Sequence, residues 1–418
     1  MRCALPIVLL LIGATGCADV LASHQRCEYL NERIAMCFGE DFGELACDGV
    51  SDRDLETLIG ALDRSACAFV REAIPTDGDV TSATCRLFGE GCADPAIAAP
   101  TPRPTRYPIV LVNGIDASPA FRYSDRIVDT LRLGGGQDVH LATLTPYEPY
   151  RVRTPELWTR VQEILADTGA EKVNLVCHSL GGLDCRYLVS PGGLHYEVDA
   201  TQTEIASRVA SITTFSTAHR GTRAADVSLG LLPDYDEAEG VNAFATYLGE
   251  WFTQREIDDD VHLREAIASL SLAQTAAFNV DVPDADGIYY QSYAGVSRPF
   301  GTAPAGFDAR VAEACATDGE DGLRYLAPAA GAYDFMATSL IPSSEIVSRT
   351  DDASARDVPN DGLVAVSAAR WGRFRGCVPA DHMEQLGQRD IPDVNVRTRF
   401  DVARFYAELA AELAAMGY

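Results

Sequence analysis

The sequence predicts an α/β protein: a mostly parallel sheet with flanking helices and a lid, preceded by a small helical, disulfide-rich N-terminal module. Three observations predict it. Short apolar runs at residues 107–112, 173–176, 209–215 and 287–293 read as strands, and Val173, Leu175 and Val176 look like a strand buried in a parallel sheet. That run passes through a tight turn straight into a helical pattern carrying Leu183, Tyr187 and Leu188. Six of the 12 cysteines crowd residues 27–92, upstream of a proline-rich stretch.

Taken in order, the chain opens with Met1-Arg2, an apolar stretch at 4–12 and Ala14-Thr15-Gly16-Cys17. This is the layout of a secretory signal, and the stretch is too short to span a bilayer as a helix. The small residues before Cys17 match the motif in which that cysteine becomes the lipid-bearing first residue of an exported lipoprotein. A plain signal peptide cut nearby is the alternative. Residues 1–16 are therefore read as the signal, and the protein as exported, either to the cell envelope on an outer-membrane lipid tether or as a secreted protein. Cys27, Cys37, Cys47, Cys67, Cys85 and Cys92 form an even set in an exported segment and read as three disulfides, whose connectivity spacing does not determine. With Leu55, Leu58, Ile59, Leu62 and Phe69 at helical spacing, residues 17–94 are expected to form the helical module, and the proline-rich residues 95–106 a linker.

From residue 107 onward the composition suits a large core: 47% of the chain is hydrophobic. The formal net charge of −27 argues against nucleic acid and against anionic membrane surfaces as electrostatic partners. At the end of the 173–176 run stands Cys177-His178-Ser179-Leu180-Gly181, a G-x-S-x-G pattern with Cys177 at the first glycine. Such a strand-to-helix turn presents the serine hydroxyl at the strand's C-terminal end and aims helix N–H groups where an oxyanion forms. A serine needs a base, and the base an acid, in the order serine, acid, histidine. His178 reads as a residue that packs beside the serine. Of the downstream histidines, His195 and His262 read as solvated, and His219 lies too early for the base although it could line the pocket. His382, in a loop near the C-terminus, is the best base, and Asp361 in Asn360-Asp361-Gly362 the acid. Asp351, Asp352 and Asp357 are competitors, and Asn-Asp-Gly is also an ordinary turn sequence. The strand at 107–112 breaks at Asn113-Gly114-Ile115, so the backbone N–H groups of Ile115 and Leu180 are the expected oxyanion donors.

These segments, YPIVLVNG (107–114), NLVCHSLGGLDCRYL (174–188), VASITTFSTAHRG (209–221), NDGLV (360–364) and DHMEQLGQ (381–388), resemble the bacterial triacylglycerol lipases of the pseudomonad type, in the α/β-hydrolase superfamily. The resemblance covers residues 107–418, read as one lipase-like domain. It implies Ser179, Asp361 and His382 as nucleophile, acid and base, in agreement with the order argument. Two departures stand out: the family's oxyanion loop reads His-Gly where this chain has Asn113-Gly114, and its elbow opens with glycine where this chain has Cys177. The resemblance implies no cofactor for the chemistry but a structural calcium, for which Asp334 and Glu384 are the candidate ligands, with Gln388 at a further matching place. A solvated acidic loop is the alternative. It also implies a Cys315–Cys377 bridge, leaving Cys177 and Cys185 as buried thiols, and it leaves open a secretion chaperone.

Residues 222–286 have room for a cap, with Leu229, Leu231, Phe244, Tyr247, Trp251 and Phe252 forming an apolar segment that either covers a site or packs on the core. A final helix at 402–416 should cover one face of the sheet. The expected function is a serine carboxylic ester hydrolase acting on lipid esters. The alternatives are an acyltransferase or polyester depolymerase using the same three residues, and a catalytically inactive surface-binding lipoprotein.

Overall fold

In the computed structural model the described residues are 103–117, 121–231, 262–301, 303–319, 333–337, 340–349, 357–387, 398 and 400–418. The expected signal, cysteine-rich module and most of the linker lie outside them, as do residues 232–261 of the cap, Asp351, Asp352 and Gln388.

Among the described residues eight strands run in chain order: β1 Ile109–Val112, β2 Val139–Ala142, β3 Val173–His178, β4 Val209–Phe215, β5 Tyr289–Gly295, β6 Ser297–Arg298, β7 Asp334–Phe335 and β8 Arg373–Val378. Six form one sheet in the order β2-β1-β3-β4-β5-β8, and every pairing in it is parallel. In register, Val112 of β1 stands opposite Cys177 of β3, and His178 opposite Phe215 of β4. The C-terminal ends of β1, β3 and β4 therefore share one rim.

Alternate residues of each strand feed opposite cores, as the pleat requires. Ile109 and Leu111 of β1 and Val176 of β3 join a cluster with Ile127, Phe405, Tyr406, Leu409 and Leu413. Val110, Val112, Leu175 and Cys177 join the other, with Leu157, Val161, Ile164, Leu183 and Leu188. Helices cover both faces, the mostly parallel α/β arrangement that the apolar runs predicted.

On the second face lie α1, Tyr150–Thr168, and α2, Gly181–Val189. In α1, Leu157, Trp158, Val161 and Ile164 recur on one stripe, and each is buried. Taking such aliphatic side chains out of water contributes roughly 1.5–3 kcal/mol apiece, before the entropy of ordering them. On the first face lies α3, Val402–Met416, capped by Asp401, whose Oδ1 accepts the Arg404 N–H at 3.0 Å. Phe405 of α3 sits 5.1 Å from the Phe215 ring and 5.0 Å from that of Tyr293, locking the helix onto β4 and β5.

Two disulfides are formed among the described residues. Cys315–Cys377 is the bridge implied by the resemblance. Cys177–Cys185 corrects the reading of those two as buried thiols. The turn after β3 reverses the chain, so the second-face side of the strand and the inward side of α2 oppose each other, and a spacing of 8 residues brings the two sulfurs together.

Candidate active site

Ser179 begins the turn between β3 and α2 at φ +54°, in the left-handed region that disfavours a Cβ. Two backbone bonds hold it there: its N–H donates to Phe215 O at 3.0 Å, and its carbonyl accepts the Gly182 N–H at 3.1 Å. The loop after β1 lies directly against it. A Cβ on Gly114 would stand 2.9 Å from Ser179 Cβ and 3.4 Å from its Oγ, so only glycine lets the two strand ends come this close.

That loop carries Ile115, and Leu180 follows Ser179, so the two expected oxyanion donors flank one contact. Two polar side chains set the loop's shape. Asn113, at the position where the family has histidine, accepts the Leu144 N–H at 2.7 Å and donates to Gly114 O at 3.1 Å. Arg153 of α1 donates to Gly114 O at 2.6 Å and to Asn113 O at 2.8 Å. Its Nη2 also lies 3.0 Å from Asp184 Oδ2 on α2. Burial pushes the Asp184 carboxyl up to about 7 against the opposing pull of Arg153. Ile115 itself packs with Tyr147, Ala225, Leu263 and Ile267, which brings the described ends of the 222–286 segment to the edge of the site.

Asp361 and His382 meet: His382 Nδ1 lies 2.8 Å from Asp361 Oδ2, with side-chain exposures of 2% and 0%. Asp361 sits in a turn closed by an antiparallel bridge between Asn360 and Ala365. The turn supplies donors to the carboxylate. Its Oδ1 accepts the N–H groups of Leu363 at 3.0 Å and Val364 at 2.8 Å, and Oδ2 also accepts Gln385 Nε2 at 3.1 Å. Burial works to raise this carboxyl, but His382, the backbone donors and the Ser216 hydroxyl outweigh it and hold it below the ordinary aspartate range. The His382 N–H donates to Asp361 O at 2.8 Å, which doubles the link between the two loops.

The histidine loop is braced by its neighbour Asp381. One of its oxygens accepts the Met383 and Glu384 N–H groups at 3.0 and 2.8 Å, and the other accepts Ala337 N–H at 2.8 Å. His178 lies with its ring 4.5 Å from the His382 ring, centroid to centroid, so the residue before Ser179 touches the candidate base. Burial, and then the proximity of His382, drive the His178 imidazole well below its ordinary value, so it stays neutral at neutral pH.

The other sequence candidates fall elsewhere. The His219 ring is buried, with Nε2 2.9 Å from Thr214 Oγ1 and Nδ1 3.3 Å from Arg186 Nη1, and Trp371 stacks on it. His262 is half-exposed at the start of the helix Leu263–Ala268, with Nδ1 2.8 Å from Glu148. The Asp357 carboxylate lies 3.7 Å from Arg298 Nη2 and 3.5 Å from Arg310 Nη2. Asp334 is buried in β7 and Glu384 half-buried after His382. Among the described residues no three His, Cys, Asp or Glu side chains are gathered so as to hold a metal ion. Arg153, Asp184, Ser216 and Gln385 were missed by sequence reasoning. Only Gln385, one short turn beyond His382, had a positional signal.

No protein-family model matches the chain. Over 200 residues it is 32% identical to a triacylglycerol lipase of Burkholderia plantarii, covering 46% of this chain and 52% of that protein. The chain is similar to triacylglycerol lipases. A second, from Pseudarthrobacter phenanthrenivorans, is 32% identical over 191 residues, which is 43% of this chain and 55% of its own length. The chain thus spans about half the length of the curated relatives it matches. Among solved structures, a Staphylococcus hyicus lipase aligns with 77% of this chain and 98% of its own at 16% identity and a TM-score of 0.47.

Proposed function

We propose that the chain is a serine carboxylic ester hydrolase acting on lipid esters. The observation that carries this reading is the buried Asp361–His382 pair, whose imidazole stands against the residue preceding a serine in strained backbone. In the proposed reaction Ser179 Oγ attacks the ester carbonyl while His382 Nε2 takes its proton. Asp361 holds Nδ1–H and stabilises the imidazolium that forms. The oxyanion of the tetrahedral intermediate accepts the N–H groups of Ile115 and Leu180. His382 returns the proton to the leaving alcohol, and water repeats the sequence to release the acid.

Similarity to named triacylglycerol lipases supports a lipid ester as substrate, and the cluster at Ile115 supports residues 222–286 as a cap that shields the acyl site. The test is hydrolysis of p-nitrophenyl esters together with labelling by a fluorophosphonate, which reacts only with an activated serine. Wild-type protein should do both and Ser179→Ala neither; full hydrolysis by the alanine variant refutes the assignment.

Export fits the two disulfides, which persist in oxidising compartments. A lipid on Cys17 is tested by fatty-acid labelling of Cys17→Ala. A structural calcium at Asp334 and Glu384, as the resemblance implies, would draw on backbone carbonyls and waters as well as these carboxylates, since calcium takes 6–8 oxygen ligands. Unfolding with and without a chelator decides it: a lowered midpoint with chelator supports the ion, and an unchanged one removes it.

A further inference from the structure

Asn113 stands where the resemblance expects histidine, and its side chain is buried. Its Oδ1 accepts the Leu144 N–H at 2.7 Å, while Nδ2 lies 3.1 Å from Gly114 O, 3.3 Å from Asp116 O and 3.4 Å from Leu144 O. Three carbonyls facing one atom require a donor there, so the network fixes which way the amide points. The acceptor ties the loop after β1 to the segment after β2, and the donor turns back onto the loop itself.

Gly114 O, the nearest of the three carbonyls, belongs to the peptide unit that ends in the Ile115 N–H. No peptide bond among the described residues is cis, so this carbonyl and this N–H point in opposite directions. Arg153 Nη1 holds the same oxygen at 2.6 Å from α1. On the other side of the residue, Ile115 O accepts the Tyr147 N–H at 2.8 Å. Both carbonyls flanking the Ile115 N–H are thus tied into the protein. Among the described residues neither that N–H nor the Leu180 N–H donates to a protein acceptor, although most interior backbone donors are paired. The two loops also press together: a Cβ on Gly181 would stand 2.5 Å from Asn113 O, so the Asn113 peptide has no room to shift toward α2.

We infer that Asn113 is a positioning residue for the oxyanion site: its side-chain amide, by holding Gly114 O, fixes the peptide whose Ile115 N–H meets the oxyanion. This rests on the ester-hydrolase reading of the site. The amide acts through the peptide, so its removal is felt in the tetrahedral state more than in ester binding.

Two variants separate positioning from plain stability. Asn113→Ala removes both bonds and leaves a void, whereas Asn113→Leu removes both bonds and keeps the volume. Each is assayed with p-nitrophenyl butyrate, with rates divided by the amount of serine titrated to the end-point by a fluorophosphonate, so that unfolded protein does not count. Arg153 still holds Gly114 O in both, so kcat should fall about ten-fold, the worth of one hydrogen bond, with KM unchanged. Phenylboronic acid gives a second readout: its boron takes the Ser179 oxygen, the serine proton passes to His382, and the tetrahedral anion occupies the oxyanion site. Its inhibition constant should rise by the same factor as kcat falls. Wild-type values of both quantities per titrated serine overturn the inference, as does a raised KM with kcat intact or a kcat that follows melting temperature across the three proteins. Should the alanine variant not fold, the leucine variant decides by the same two quantities. If wild-type protein shows no hydrolysis beyond Ser179→Ala, it is the underlying reading that falls.

Discussion

Arg153 Nη2 and Asp184 Oδ2 lie 3.0 Å apart with neither side chain exposed, joining α1, the loop after β1 and the helix that follows Ser179 into one unit. An ion pair this deep is costly to break, because removing one partner leaves the other charged and unsolvated. Arg153→Met should therefore destabilise the fold at pH 8 by about 3 kcal/mol in urea unfolding. The deficit should shrink toward pH 5.5. Without Arg153 the Asp184 carboxyl rises further above its unfolded value, so the folded variant takes up a proton as pH falls and recovers stability. An equal deficit at both pH values rules out a buried charge as the cause.

The Asp361–His382 bond at 2.8 Å makes a second prediction. Asp361→Asn keeps the shape but removes the charge that in the proposed reaction steadies the imidazolium, and kcat should fall by about 10⁴-fold. Gln385→Leu leaves the charge and takes away one donor, so its loss in kcat should be nearer ten-fold. Steady-state kinetics on purified variants checks the ordering, and a leucine variant as impaired as the asparagine variant contradicts it.

His219 provides a pH-dependent test of the interior. Arg186 donates toward Nδ1, so Nε2 carries the proton and bonds Thr214, and a second proton would face the guanidinium. Burial first, then Arg186 and Arg220, hold this imidazole well below its ordinary value. Below the unfolded value near 6.5 the unfolded chain binds a proton that the folded chain refuses, so stability is lost as pH falls. Relative to His219→Gln, the wild type should lose about 1.4 kcal/mol more per pH unit below 6. Parallel stability curves for the two proteins count against it.

The Cys177–Cys185 bridge ties the strand end to α2 across the turn that carries Ser179. Denatured, unreduced protein should show both residues protected from alkylation by mass spectrometry. Replacing both by alanine should cost about 2.5 kcal/mol, the chain-entropy value for so short a loop. Labelling of either thiol without reduction disproves the bridge.

Four of the sheet's six strands and the candidate site residues were legible in the chain for one reason: their signals are local. Short apolar runs bounded by turn signals fit strands covered on both sides, and a serine between such a run and a helical pattern fits a sharp turn. The serine-acid-histidine order then picked out Asp361 and His382 from a short set of candidates. What tertiary structure alone decided is every relation across elements. Arg153 has no mark in a helical sequence that says it will reach two carbonyls of another segment, and the spacing of Cys177 and Cys185 does not say that a turn folds one onto the other. Ser216 follows an apolar strand like any small residue, and its backbone angle and the bond its hydroxyl accepts from Gly295 N–H exist only once β4 and β5 have packed. Periodicity records which way a side chain faces, and packing alone determines what it meets there.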